Sequence, residues 1–262
     1  MKIKELNPFV RRTVYLLMIA AVFNGAVQSL GQTQDIIARK ALRAQDWQLM
    51  LMTMIWPISN FLSIWWGRFF ERSRHKSRFF VFGGVLGRLT LVSAIWITTM
   101  NEFLVVMGLL YSANSMLIPA QNSIYQRNIR PQRRAAVYGY TMSLGMAVSV
   151  ALTFVAGRVL DTQESSFRWI LAITGIAGFI SAILQSRIKI QEPIIDPPHH
   201  HIKAKFRDTL MDPIRRSLEV MKENKAFAAF ERSFSIYGMG FIMMQPIIPI
   251  YMVDKLQLSY TN

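Results

Sequence analysis

Seven nearly uncharged runs, each about as long as a membrane-spanning helix, divide this sequence. A helix needs roughly 20 residues to cross the hydrocarbon core of a bilayer. The runs cover residues 13–34, 47–67, 79–101, 103–126, 135–157, 169–186 and 233–253. Only 17% of the residues are charged, against about 25% in an ordinary soluble domain. The sequence therefore predicts an all-α membrane protein with seven transmembrane helices.

The first run follows four basic residues, as the apolar core of a cleaved secretory signal also would. It is longer than such a core needs to be, and six further runs follow it. We therefore interpret the first run as an uncleaved transmembrane span.

The formal net charge of +15 raises the question of nucleic acid as a partner. The charge, however, is concentrated in the N-terminal segment and in alternate loops. About 22 basic residues fall on one side of the predicted membrane and about 6 on the other. The positive-inside rule then predicts a multi-pass protein of the plasma (inner) membrane with a cytoplasmic N-terminus, and no nucleic-acid partner.

A motif lies between the second and third runs, in the segment GRFFERSRHK at residues 67–76. It resembles the loop between spans 2 and 3 of the major facilitator superfamily of secondary transporters, Gly-x-x-x-Asp-Arg-x-Gly-Arg-Arg/Lys. Gly67, Arg72 and Lys76 match this pattern, and Glu71 is a conservative replacement. The family's second glycine and the arginine after it are replaced here by arginine and histidine.

Residues 118–161 are also similar to the family's passage from span 4 to span 5. With the six-span bundle, the long charged loop and the further span, the resemblance covers nearly the whole chain. It implies a six-helix N-terminal bundle at 1–186, a cytoplasmic loop with an amphipathic helix at 187–225, and the first helix of a C-terminal bundle at 226–262. Within the loop, Asp212 and Pro213 predict a helix start. Because one further helix follows the bundle, we expect a truncated transporter, either a natural half-protein or a fragment, completed by its missing half or by a second copy.

The family resemblance also implies a gating role for the motif. The acid at the position of Glu71 is expected near a helix N-terminus of the other half, where it would latch one conformation. The alternative is an ordinary surface ion pair between Glu71 and a neighbouring arginine. The predicted gating residues are Gly67, Glu71, Arg72, Lys76 and Arg134.

Arg88 falls near the middle of the third run, where a charged side chain costs about 2.5 to 3.5 kcal/mol on insertion scales. No acid occurs inside the first six runs, which predicts that Arg88 has no ion pair within the bundle. Its compensation could be a wet cavity with an anionic substrate, backbone carbonyls, or a carboxylate from spans outside this chain. A structural arginine that reaches the interface is a further alternative. Glu231, at the start of span 7, is expected at the membrane interface, although it is the only acid placed to enter a cavity.

Polar residues also recur on single faces of spans 1, 4 and 7, at helical spacings. They are candidates for substrate binding, although hydrogen bonding between helices is an equal alternative. Together with Arg88, the predicted substrate-binding residues are Asn24, Gln28, Asn114, Gln121, Tyr125, Tyr237 and Gln245.

Enzyme chemistry has no sequence support. The chain contains no cysteine, and it has no zinc-protease signature, phosphate loop or nucleophile elbow. We predict no catalytic residue, no metal and no cofactor.

We expect secondary transport of a small solute by alternating access, with a lean toward an anionic or polar substrate. The expected partners are that solute and the lipid bilayer, and a coupling ion is left open. A non-transporting seven-span sensor or regulatory protein is the alternative.

Overall fold

The computed structural model describes residues 7–73, 75–191 and 206–260. Within these residues every regular element is helical, and seven helical segments are long and apolar enough to cross a membrane. This confirms the predicted architecture. The seven spans are Pro8–Lys40, Asp46–Glu71, Ser77–Trp96, Met100–Asn128, Pro131–Thr162, Glu164–Ser186 and Lys225–Lys255.

Span 1 is the single helix α1, Pro8–Lys40, which begins with proline after an Asn7 cap. The Asn7 side chain accepts a hydrogen bond from the Phe9 N–H, and proline suits the first helical position because its missing N–H would have no partner there. The helix runs six residues beyond the apolar run that predicted it. The charged residues after position 34 end the apolar run, but they do not end the helix, because charged side chains are readily accommodated in an α-helix.

Spans 2 and 3 are both irregular. Span 2 consists of α2, Asp46–Phe61, and α3, Ser63–Arg72, which are separated at Leu62. Span 3 begins as α4, Ser77–Gly83, continues as a π-helical turn over Gly84–Arg88, and ends as a 3₁₀ helix over Leu89–Trp96. π-Helical turns inside helices are frequent at functional sites, and this one ends at Arg88.

The bundle is completed by α5, Met100–Asn128, α6, Pro131–Thr162, and α7, Phe167–Ser186. Span 3 packs between α5 and α7 because its glycines permit a close approach. A Cβ atom on Gly84 would lie 2.8 Å from the Ala182 Cβ, which is closer than real Cβ contacts allow. Small residues at such contacts are the usual basis of helix packing in membranes.

The buried apolar residues form two clusters along the bundle. One includes Ile37, Phe103 and Leu171. The other includes Phe80 and Ile124. Residues of both clusters, including Leu30 and Leu117, line the cavity that also holds the polar residues relevant to function.

The chain after the bundle contains α8, Phe206–Glu223, then α9, Lys225–Met244, and the short helix α10, Ile247–Ile250, followed by a π-helical turn over Tyr251–Lys255. The predicted start of α8 at Asp212 is wrong, because the helix begins at Phe206. Pro213 thus lies inside the helix, where a proline removes one backbone hydrogen bond without ending the helix.

The helical bundle has two ends, which we call the basic side and the opposite side. The basic side carries the start of α1 and the loops at 73–76 and 129–130. The opposite side carries the loops at 41–45 and 97–99 and the residues 256–260. None of the α9 residues is buried, and the contacts that hold span 7 to the bundle lie near the opposite side.

Candidate solute-binding cavity

A cavity of about 730 Å³ lies between the six-helix bundle and span 7. Its walls come from α1, α2, the π-helical turn of span 3, α5 and α6 on one side, and from α9 to the π-helical turn after α10 on the other. The volume falls within the range of about 300 to 1,000 Å³ that is usual for small-molecule sites. Apolar side chains such as Met52, Trp56 and Phe241 alternate with polar ones in the lining.

Six of the eight residues predicted to bind substrate line this cavity, although they come from four different spans. They are Asn24, Gln28, Arg88, Asn114, Gln121 and Gln245. The Asn24 Oδ1 and the Gln28 Oε1 are buried and have no hydrogen-bond partner in the described part of the chain. Buried polar atoms without partners are rare and therefore point to a missing ligand or water.

The two predicted tyrosines do not line the cavity. Tyr125 lies one helical turn beyond Gln121, toward the basic side, where its hydroxyl is 2.8 Å from the Thr141 Oγ1 and its ring packs against Tyr138. Tyr237 lies on α9 and is 70% exposed. The helical spacing of Asn114, Gln121 and Tyr125 predicts that all three share one face of the helix. The cavity, however, ends before it reaches Tyr125.

Arg88 is 2% exposed, and its partners among the described residues are neutral oxygen atoms. Its Nη1 donates to the Gly178 carbonyl at 2.9 Å, whereas its Nε and Nη2 share the Asn114 Oδ1 at the longer distance of 3.4 Å. A guanidinium group has five N–H donors, so two remain without an acceptor among the described residues. Two of the ways in which the charge of Arg88 could be compensated are therefore present in the structure. A backbone carbonyl accepts a hydrogen bond from it, and it lies on the wall of a cavity.

Gly178 on α7 makes room for the Arg88 side chain. A Cβ atom added there would lie 2.9 Å from the Arg88 Cδ and 2.7 Å from the Val27 Cγ2. Glycine at this position thus leaves space for the Arg88 side chain, whose shortest hydrogen bond is to the Gly178 carbonyl.

Asp35 is the residue that the sequence reasoning missed. It lies on α1 beyond the predicted end of span 1, lines the cavity, and has a buried Oδ1 with no hydrogen-bond partner. The prediction that Glu231 is the acid placed to enter a cavity is therefore wrong, and Asp35 escaped notice because the first apolar run ends one residue before it. The signal was available in the sequence, since Asn24, Gln28, Gly31 and Asp35 follow one another at helical spacing.

The predicted gating residues lie at the basic side, away from the cavity. Glu71 is exposed at the end of span 2, and Arg72 is the last residue of α3. Lys76 is the residue before α4. A Cβ atom on Gly67 would lie 3.7 Å from the Pro119 Cβ, an ordinary contact, so this conformation does not require glycine there.

Arg134, the fifth predicted gating residue, caps the end of α5. Its Nε donates to the Tyr125 carbonyl at 3.1 Å, and its Nη2 donates to the Gln126 carbonyl at 2.8 Å. The last carbonyls of a helix lack intrahelical partners and carry partial negative charge, so a cationic donor is favourable there.

At the opposite side, ion pairs and hydrogen bonds join span 7 to the bundle. Arg39 binds Asp46 at 2.9 Å and also binds Asp254 of span 7 with two nitrogen atoms. Lys40 donates to the Leu258 carbonyl at 2.7 Å, and its ammonium lies 4.4 Å from the centre of the Tyr260 ring. We call Arg39, Lys40, Asp254 and Tyr260 the opposite-side contact.

Tyr260 extends this contact to the end of span 5 and the start of span 6. Its backbone N–H donates to the Asp161 Oδ1 at 2.7 Å. Burial, together with the nearby Glu164 and Asp161 carboxylates, raises the pKa of the Tyr260 hydroxyl, which therefore stays protonated at neutral pH. Several polar contacts thus join the residues after span 7 to the bundle at this side.

Seven apolar helices around a polar cavity are the arrangement of a multi-pass membrane protein. Residues 13–262 match the Major Facilitator Superfamily, and the chain belongs to that family. No curated protein matches the chain significantly.

A solved structure supports the same fold. It is the structure of a bacterial homologue of the human lysosomal transporter Spinster, in its inward-facing and unoccupied conformation, and it is similar with a TM-score of 0.60 and 14% sequence identity. The match covers 98% of this chain and 58% of that protein. At this identity the likeness concerns the fold.

Proposed function

We propose that the protein takes part in secondary active transport of a small anionic or polar solute, which binds in the cavity between the bundle and span 7. The observation that carries the proposal is Arg88, a buried cation on the cavity wall with two N–H donors free for a ligand. An arginine in this state favours an anion, because a charged hydrogen bond is stronger than a neutral one.

The transport mechanism that we propose is alternating access. Span 7 is joined to the bundle at the opposite side, where Arg39 and Lys40 contact residues 254–260. If the basic side is cytoplasmic, as the positive-inside rule favours, this arrangement corresponds to a conformation closed toward the outside. Glu71 and its neighbours at the basic side would then stabilise the alternate conformation, in which that side is closed.

The domain organisation follows the same proposal. Residues 1–186 would act as one rigid half, residues 187–225 as the connection, and residues 226–262 as the start of the second half. No observation in the cavity favours the sensor or regulatory alternative, because every partly unsatisfied polar group described above faces a space of ligand size.

The test is uptake of radiolabelled carboxylates and phosphate esters into vesicles that carry the protein, compared with the Arg88→Gln variant. We expect saturable uptake of at least one anion, lost in the variant while the amount of protein in the membrane stays the same. Uptake of an anion at equal rates by both proteins would contradict the role of Arg88, and the absence of any uptake would contradict transport of anions.

A labelling experiment tests alternating access separately. The 262 residues contain no cysteine, so Gly31→Cys introduces a single thiol into the cavity lining, at a position where no other atom lies within 4 Å of the new Cβ. We expect a membrane-impermeant maleimide to label it from either side, in proportions that change with the solute. Labelling from one side only under all conditions would contradict the mechanism.

A further inference from the structure

We propose that the cavity is dipolar, and that its solute carries a protonated amine, which binds at Asp35, in addition to the anionic group that binds at Arg88. This inference rests on the proposed function for the role of Arg88. It adds a second binding site, of opposite charge, and so narrows the substrate class from anions to zwitterions.

The first observation is the state of Asp35. Its Oδ1 is inaccessible to solvent and accepts no hydrogen bond from any described residue. An ionised carboxylate without a partner is costly to bury, and buried charges in proteins are normally paired. Unlike the amide groups of Asn24 and Gln28, a carboxylate offers only acceptors, so its missing partner must be a donor or a cation.

The second observation is that the nearby protein cations are already engaged elsewhere. Arg39 lies one turn further along α1, but its guanidinium group binds Asp46, Asp254 and the Ala44 carbonyl. Lys40 binds the Leu258 carbonyl. Within the described residues no ion pair joins Asp35 to Arg88, although both line the same cavity.

The third observation concerns distance. The Tyr111 hydroxyl donates to the Gln34 Oε1 at 2.6 Å, which places Tyr111 of α5 at the depth of Gln34 and Asp35. Asn114, the partner of Arg88, lies three residues further along α5, or about 4.5 Å along the helix axis. Along the α5 axis the acidic and basic sites are therefore offset by somewhat less than one helical turn, an offset that one small molecule can span.

The cavity lining suits the remainder of such a solute. Trp56 lies on the cavity wall and can contribute a cation–π contact to an amine. Met52 and Leu110 provide apolar contacts for a carbon chain between the two charged groups. A molecule with opposite charges at its two ends would satisfy both unpaired groups at once.

The experiment compares three probes of equal chain length by calorimetric titration of the purified protein. They are hexanoate, ω-aminohexanoate and hexylamine. We expect ω-aminohexanoate to bind about tenfold more tightly than hexanoate, a difference of about 1.4 kcal/mol. This advantage should disappear in Asp35→Asn, whereas hexanoate should bind the variant as it binds the natural protein.

Two further variants keep the test decisive. Asp35→Glu retains the charge and should retain a preference for the amine. Glu219→Gln removes an acid on α8 that is paired with Arg215 outside the cavity, and it should leave all three affinities unchanged. Equal binding of hexanoate and ω-aminohexanoate to the natural protein would overturn the dipolar proposal while leaving Arg88 as an anion site.

A titration in two buffers of different ionisation enthalpy distinguishes an amine from a proton at Asp35. If hexanoate binding takes up a proton that Asp35→Asn no longer takes up, and the amine adds no affinity, Asp35 is a proton acceptor and the dipolar proposal is wrong. Failure of every probe to bind would overturn the anion site of the proposed function as well.

Discussion

Arg88 and Arg39 are both positively charged residues of the bundle, but their guanidinium groups have different partners. Arg39 binds two carboxylates and a backbone carbonyl, and one of those carboxylates belongs to span 7. Among the described residues, Arg88 binds a carbonyl and an amide oxygen, and two of its N–H donors have no acceptor there. The first arginine joins two parts of the molecule, whereas the second remains available to a ligand.

Arg39 and Arg88 also differ in their exposure to solvent. The Arg39 side chain is 18% exposed, and its partner Asp254 is 38% exposed, so water can replace either partner when the contact opens. Arg88, in contrast, is only 2% exposed. An exposed ion pair can break and re-form at low cost, whereas a buried cation has to be compensated continuously.

The largest effect is expected from Arg88→Gln. Loss of a charged hydrogen bond to the solute costs about 1.5 to 3 kcal/mol, which corresponds to a drop in affinity of roughly 10- to 150-fold. Because an incompletely paired buried charge is also removed, the thermal unfolding temperature should stay the same or rise. A lower unfolding temperature with unchanged solute affinity would make Arg88 structural and remove its contrast with Arg39.

The next effect is expected from Gly178→Ala. The added methyl group would overlap the Arg88 Cδ and the Val27 Cγ2, so we expect destabilisation of about 1 to 3 kcal/mol by overpacking, together with weaker solute binding. Gly108→Ala is the matched control, because a Cβ at that position meets no atom within 4 Å. Calorimetric unfolding and probe titration of both variants measure the two effects, and equal behaviour would show that Gly178 does not position Arg88.

A smaller effect is expected from Arg39→Gln, which removes the ion pairs to Asp46 and Asp254. Exposed ion pairs are weak, so the proportion of molecules open at the opposite side should rise by about two- to fivefold. Maleimide labelling of Gly31→Cys from that side measures this proportion. About 1 M salt, at which the Debye length is near 3 Å, should produce a similar change in the natural protein.

The control for Arg39 is Arg215→Gln, which breaks an exposed i to i+4 pair on α8. It should leave the labelling unchanged. If both arginine variants raised the labelling equally, the effect would come from net charge, and the opposite-side contact would lose its proposed role.

The smallest effect is expected from Glu71→Gln. A contact between a carboxylate and a helix N-terminus is worth about 0.3 to 1 kcal/mol, so the balance between labelling from the two sides should shift by less than roughly fivefold. The shift should oppose that of Arg39→Gln, because Glu71 is proposed to stabilise the other conformation. A shift in the same direction would refute the proposed gating role.

The spans could be predicted from the sequence because the bilayer dictates their length and their lack of charge. The cavity position of Arg88 could also be expected, since a charge in the middle of a span has few acceptable surroundings. Asp35 was missed because the apolar run ends before it, while α1 continues to Lys40. Hydropathy indicates where the apolar, lipid-facing part of a helix ends. A helix that lines a polar cavity can continue beyond that point, as α1 does.

The irregular parts of the structure were beyond sequence reasoning for a different reason. The π-helical turn at Gly84–Arg88 depends on packing against α5 and α7, which a linear pattern does not contain. The depth at which the cavity ends likewise depends on neighbouring helices, so Tyr125 and Gln121 could not be distinguished by spacing alone.

The 3₁₀ segment of span 3 has a consequence for how the protein fits its bilayer. Span 3, with 20 residues, is the shortest of the seven. A 3₁₀ helix rises about 2.0 Å per residue, against 1.5 Å in an α-helix, so the segment Leu89–Trp96 is about 4 Å longer than an α-helix of the same residues. The change of helix type therefore gives the shortest span a few Å more than the roughly 30 Å that 20 α-helical residues provide, a surplus that tilting accommodates.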